Sequence, residues 1–239
     1  MKTTKRVKVD NNRQIEAYLK DRGLKEHEKE LLSIIARDHR DFSGNVLDLG
    51  CASGTFIKAM HDKWPDAEYT GVDISGELID ISRKKLAGVS VNLIVQDITR
   101  YKPAGKFDII IASGILSCFE DFESVLGKWT SWLKKSGRLY IFGRFNSCDI
   151  DTKIIYRNNR YSRDWEKGLI VYSVDTVKRY LEGIKLKHDF KRFYLNIDIQ
   201  KNENPIRTYT ARCVDGSVLV INGANTIAEQ FFLTIRAAE

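Results

Sequence analysis

No stretch of this 239-residue chain approaches the roughly 18 to 20 consecutive apolar residues that cross a bilayer, so neither membrane embedding nor a membrane partner is expected. The basic opening MKTTKRVKVDNNR leads into no apolar core of the signal-peptide kind, which argues against export. Cysteine is sparse. Cys51, Cys118, Cys148 and Cys213 are widely spaced, with no CxxC pair and no Cys/His cluster, so neither a zinc centre nor a disulfide framework is indicated and a reduced cytoplasm fits. With 3 prolines, no low-complexity tract and no internal repeat, the chain carries no sign of a stiff linker or solenoid. An overwhelming charge of one sign is missing too: 39 basic residues face 32 acidic ones, a net +7 that a mixed surface can solvate, which ranks nucleic acid low among partners without excluding it.

Hydrophobic residues make up 43% of the chain and charged ones 30%, the balance of an ordinary globular protein. The length suits one domain over residues 1–239, with no room for two full ones. Residues 12–40 read as helical, with Ile15, Tyr18, Leu19 and then Leu31, Leu32, Ile34 and Ile35 at three- and four-residue spacing. They form a helical preface over about 1–43. From Val46 the pattern changes to short apolar runs, VLDLG, YTGVDI, VNLIVQDI, FDIIIAS and GRLYIFG, alternating with amphipathic stretches. Continuous Val/Ile/Leu runs are strands buried on both faces, so the α/β expectation is a parallel sheet with helices on either side, a three-layer arrangement. After Gly143 the rhythm breaks into an Arg-, Asn-, Asp- and Tyr-rich segment over 144–170 that reads as an insertion, followed by a helix near Ser173 to Leu181. Two strand-like runs, 190–200 and 230–238, close the chain. Between them TYTARC and SVLVING flank Asp215-Gly216, a hairpin signal that makes 201–228 a second insertion.

The chemistry concentrates at strand ends. The first strand carries Asp48 and turns through Gly50, Cys51, Ala52, Ser53 and Gly54 into a helix. Glycine there lets a ligand lie against backbone. A dinucleotide fingerprint reads G-x-G-x-x-G. This loop reads G-x-A-x-G instead, with a carboxylate two residues ahead of it, which suits a ligand bearing a cationic amine beside a sulfonium better than a diphosphate. Asp73 ends the second strand, where a carboxylate can accept both hydroxyls of a ribose, and Ile74 follows it. Asp97 follows the third strand, placed for an adenine amine with Ile98 against the ring. Three acids at three successive strand ends converge on one crevice.

These segments resemble the class I S-adenosylmethionine (SAM)-dependent methyltransferases: VLDLGCASG their first motif, GVDIS the second, QDI the third and FDIIIASGILSCFED the fourth. The resemblance spans about residues 45–143. Ala52 departs from it, since many members carry glycine there. The family implies a Rossmann-like sheet of seven mostly parallel strands with an antiparallel last strand, here with the helical preface and a small β-hairpin cap. It also implies S-adenosyl-L-methionine as cofactor, its methionine moiety on Asp48 and the backbone at Gly50, its ribose on Asp73, its adenine on Asp97 and Ile98, and Ser113 with Gly114 beneath the methyl group.

Transfer of a methyl group from a sulfonium is an in-line displacement in which alignment alone can contribute roughly 7 to 11 kcal/mol. No catalytic base is required for an ionised acceptor, and His27, His39, His61 and His188 single none out. Base-flipping DNA enzymes of this class carry NPPY-like or Pro-Cys motifs, absent after strand four. A small, anionic oxygen or nitrogen acceptor is the leading expectation. An RNA methyltransferase and a catalytically silent SAM-binding protein stand as alternatives. Tyr18, Arg144, Arg157 and Arg207, on the preface and the two insertions, are the substrate candidates.

Overall fold

In the computed structural model, residues 23–160, 163–204 and 206–237 are described; Tyr18 lies outside them. Elements run in the order α1 (Glu26–Asp38), β1 (Asn45–Leu49), α2 (Thr55–Lys63), β2 (Glu68–Asp73), α3 (Gly76–Lys85), β3 (Val91–Val95) and β4 (Phe107–Ser113). A 3-10 turn (Leu116–Cys118), α4 (Phe122–Ser131), β5 (Leu133–Asn146), β6 (Thr152–Tyr156), β7 (Glu166–Ser173) and α5 (Val174–Gly183) follow. β8 (Lys187–Phe193), β9 (Tyr209–Arg212), β10 (Val218–Ile221) and β11 (Gln230–Arg236) complete the described elements.

The main sheet has the path β3-β2-β1-β4-β5-β11-β8, in which β11 runs antiparallel to both its neighbours and the other pairings are parallel. These seven strands are the expected α/β arrangement, to which β6 and β7 add two more off the main path. Its strands are apolar on both sides because helices cover both. Leu47, Leu49, Ile110 and Ile141 pack with Leu126, Trp129, Val177 and Leu181 on one face. Val46, Ile109, Ile111, Tyr140 and Phe142 pack with Ile35, Ile57 and Met60 on the other. Each such fully buried aliphatic side chain contributes roughly 1.5 to 3 kcal/mol.

Caps match the local sequence. The Ser75 side chain accepts from the Leu78 N–H at the start of α3, Asp121 from Ser124 at α4, and Ser173 from Thr176 at α5. The preface helix α1 is docked by polar contacts: Asp38 pairs with Arg138 at 2.5 Å and accepts from the Tyr140 hydroxyl at 2.9 Å.

Two segments differ from the sequence expectation. The 144–170 stretch, read as an insertion, begins inside β5, which continues through Asn146, and holds a β6–β7 hairpin that joins the sheet where Phe145 pairs with Tyr172. Conversely the apolar run 190–200 is a strand only to Phe193. Its register partner there is Gln230, the first residue of β11, so the ladder with β11 ends at that point, and Ile199 bonds instead with Thr210 of β9, accepting from its N–H at 3.0 Å. β9 and β10 form the expected hairpin as a separate two-stranded sheet, closed through Gly216 with φ +82°.

Candidate active site

The turn after β1 is held by its neighbour strand. The N–H groups of Gly50 and Cys51 donate to the Val72 carbonyl at 2.7 and 3.3 Å, and the Ala52 N–H donates to Asp73 Oδ2 at 3.0 Å. Gly50, Ala52 and Gly54 all take positive φ, +74°, +47° and +72°. A Cβ on Gly50 would sit 2.8 Å from Ile115 Cγ2, and one on Gly54 would run into the Ser82 hydroxyl and Leu86. Both positions therefore call for glycine on two counts. Ala52 adopts the left-handed conformation that glycine tolerates best, which gives the departure from the family pattern a physical cost of about 1 kcal/mol.

Cys51 and Ser53 turn their side chains inward. Both are buried; Cys51 Sγ stands where a Cβ on Gly71 would go, and Ser53 Oγ lies 3.2 Å from Thr55 Oγ1. Burial, with Asp48 and Asp73 nearby, pushes the Cys51 thiol far above its ordinary range, so the thiolate chemistry of a nucleophile is shut off.

Asp48 is the exceptional group. It is 4% exposed, and among the described residues no donor reaches its carboxyl. Burial first, then the charges of Glu28 and Asp73, push it up to about 8. Glu28 belongs to α1, where it accepts from the Lys25 N–H at 2.8 Å. Nothing in the sequence directed a helix-start glutamate toward Asp48; the packing of α1 across the sheet does so. A buried acid without a donor is costly unless a ligand supplies a cation or an N–H.

Asp73 is better served. Its Oδ1 accepts from the Ser75 N–H at 2.9 Å and its Oδ2 from Ala52, tying the two strand-end loops together. A carboxylate has about four acceptor sites, so two stay open for hydroxyls. Beside it Ile74 is 41% exposed and Val95, its neighbour at the end of β3, 48% exposed, an apolar ledge to which the sequence reading contributed Ile74 alone. Asp97 closes a local turn, its Oδ1 accepting from both the N–H and hydroxyl of Thr99, and Ile98 lines a recess of about 70 Å³ with Phe119 and Trp129.

Ser113 ends β4 opposite Phe142 of β5, and the Gly114 N–H donates to the Phe142 carbonyl at 2.7 Å. The His27 ring stacks on Phe142 at 4.1 Å, and burial, aided by Lys25, lowers it to about 3. It stays neutral at pH 7. His39 meets the Tyr140 hydroxyl and His188 the Leu186 carbonyl, so both have structural roles. Of the substrate candidates, Arg144 sits in β5 at the carboxyl edge of the sheet. Arg157 lies 5.4 Å over the Trp165 ring and Arg207 precedes β9. The two insertions meet each other: the Arg160 guanidinium donates to the Glu203 carbonyl, and a recess of about 310 Å³ is lined by Arg157, Arg160, Ile206 and Ala224. Among the described residues no group of three His, Cys, Asp or Glu is arranged for a metal, and no helix is long and apolar enough to cross a membrane.

Against known proteins, residues 46–137 match the family described as a methyltransferase domain. A malonyl-[acyl-carrier protein] O-methyltransferase of Acetivibrio thermocellus is 30% identical over 40% of this chain and 34% of its own length. A trans-aconitate 2-methyltransferase of an Azoarcus species is 30% identical over 45% and 42%. The crystal structure of coclaurine N-methyltransferase bound to N-methylheliamine and SAH superposes with a TM-score of 0.60 at 17% identity, covering 81% of this chain and 56% of that one. The matches span less than two thirds of these curated relatives. Residues 46–137 thus match a methyltransferase-domain family and the chain shares the fold of that solved structure; the glycine loop, β2 end and β4 described above lie within the matched residues.

Proposed function

We propose that this protein transfers a methyl group from SAM to an oxygen or nitrogen of a small molecule. The observation that carries the reading is the buried Asp48 carboxyl beside a turn whose Gly50 and Gly54 admit no Cβ, with no donor among the described residues and two further acids in its field. SAM matches that site, bringing an ammonium, a sulfonium and a ribose; bound there, it supplies an electrophilic methyl on a positively charged sulfur.

In this reading Asp48 and the Gly50 to Gly54 backbone hold the amino-acid end, and the field of Glu28 adds to the attraction for positive charge. Asp73 accepts the ribose hydroxyls through its two open lone pairs, Ile74 and Val95 cover one side of the base, and Asp97 and Ile98 border the other. Ser113 and Gly114 lie under the transferred methyl. The chain supplies alignment and exclusion of water more than acid–base chemistry, consistent with a neutral His27 and with the structural partners of His39 and His188. The 144–170 and 201–228 segments, bearing Arg157 and Arg207, act as covers over the acceptor within one functional unit. Four unpaired cysteines suit a cytoplasmic setting.

Incubation with methyl-labelled SAM and fractionated cell extract tests this. Label entering small molecules is expected. Label confined to RNA or protein, or SAM bound without any transfer, rejects it.

A further inference from the structure

A guanidinium has five N–H donors and no acceptor, and inside a protein it is accompanied by an anion or by carbonyls. Arg144 breaks that rule. It is half-buried, burial draws it below its ordinary value, and among the described residues its side chain has neither a hydrogen bond nor an ion pair. Other basic groups nearby are satisfied: Arg138 by Asp38, and Arg192 by Glu229.

Its position says what would complete it. Along β5 alternate residues share a face, so Arg144 points to the side of Tyr140 and Phe142, the face that also carries Asp48 and Ser113. Across the sheet it stands level with Gln230 of β11 and, beyond that, Phe193 of β8. Asp48 is level with Ile111, and Ile111 with Tyr140. Arg144 is therefore two strands over and four residues nearer the carboxyl edge, a backbone separation on the order of 16 Å. An unsatisfied acid at one end of this edge and an unsatisfied base at the other leave Ser113 and Phe142 between them. The span fits the reacting end of a donor followed by a small acceptor.

We infer that Arg144 anchors the methyl acceptor by a two-pronged pair with a carboxylate on it, with Gln230 beside the pair and the Phe142 and His27 rings as its apolar wall. The inference rests on the methyltransferase reading and names the acceptor class: a small carboxylate. A planar guanidinium matches a planar carboxylate in geometry as well as charge, which a lysine cannot do.

Arg144→Met and Arg144→Lys separate the possibilities. First, SAH binding is titrated calorimetrically; affinity should be unchanged in both variants, and failure of the unaltered protein to bind would defeat the methyltransferase reading instead. Next, extract is split on an anion exchanger and each fraction offered with labelled SAM. Label should enter the retained, carboxylate-bearing fraction, with KM raised at least tenfold in Arg144→Met and partly restored in Arg144→Lys. Finally, Arg144→Met should melt a few degrees higher, since it removes a buried charge without a partner. Labelling only of unretained compounds, of phosphate esters free of carboxylate, or of nothing at all in a protein that binds SAH overturns the inference. So does an Arg144→Met variant that melts lower and keeps its KM.

Discussion

The site's two ends are assembled from different kinds of neighbours. Around Gly50 to Gly54 the contacts are local in the fold's grammar: a strand, its turn and the adjacent parallel strand, tied by Ala52 to Asp73 and by Gly50 to Val72. Around Arg144 they come from β5, β11 and β8, which are distant in the chain and adjacent only because β11 inserts antiparallel between the other two. The first end can be specified by a short motif, since a βα turn presents its residues in a fixed order. The second has no motif, since its members share only a register. A fold that keeps the first constant and redraws the second can keep one donor and change acceptors.

If that contrast is right, lesions in the turn should strike donor binding and those beyond β5 should spare it. The largest effect is expected from Asp73→Ala: SAH affinity should fall at least a hundredfold by calorimetry. Two backbone N–H groups also lose their acceptor, at about 1 to 3 kcal/mol each by thermal or urea melting. Unchanged affinity would detach Asp73 from the site. Gly54→Ala should cost about 2 to 4 kcal/mol, combining a left-handed backbone with a clash against Ser82 and Leu86; a variant as stable as its parent would contradict the close packing of α2 on α3.

Asp48 makes a pH-dependent prediction. Its carboxyl titrates near 4 when unfolded and at about 8 when folded without ligand. Between those values the folded form holds a proton that the unfolded form has released, so stability of the ligand-free protein should decline as pH rises from about 4 to about 8. Asp48→Asn should flatten that decline. Donor binding favours the ionised acid, so at pH 7 it should release a proton, visible as a binding heat that depends on the buffer. A heat independent of buffer would place the charge elsewhere. The smallest effect belongs to Ala52→Gly: relief of the left-handed alanine should raise stability by about 1 kcal/mol at most, with donor affinity unchanged.

How much was legible in the sequence follows the same division. Short Val/Ile/Leu runs with capped helices between them specify parallel strands, and Gly50, Asp48 and Asp73 stand out because few chemistries want glycine and acids at consecutive strand ends. Cys51 and Ser53 were legible as members of the loop but not as inward-facing, because a turn's side-chain directions depend on its φ values. The end of β8 at Phe193 was not legible either: residues 194–200 are as strand-like as those before them, and it is the start of β11 at Gln230 that stops the ladder.

By itself the sequence determined the α/β alternation, the glycine turn and the acids that follow it, because each depends on residues within one strand-turn-helix unit. Only the tertiary structure decided that Glu28 of the preface adds its charge to Asp48, that His27 is stacked and neutral on Phe142, and that Arg144 stands partly buried with no anion among the described residues. Those are facts of burial and register, created when strands far apart in the chain come side by side and water leaves the space between them.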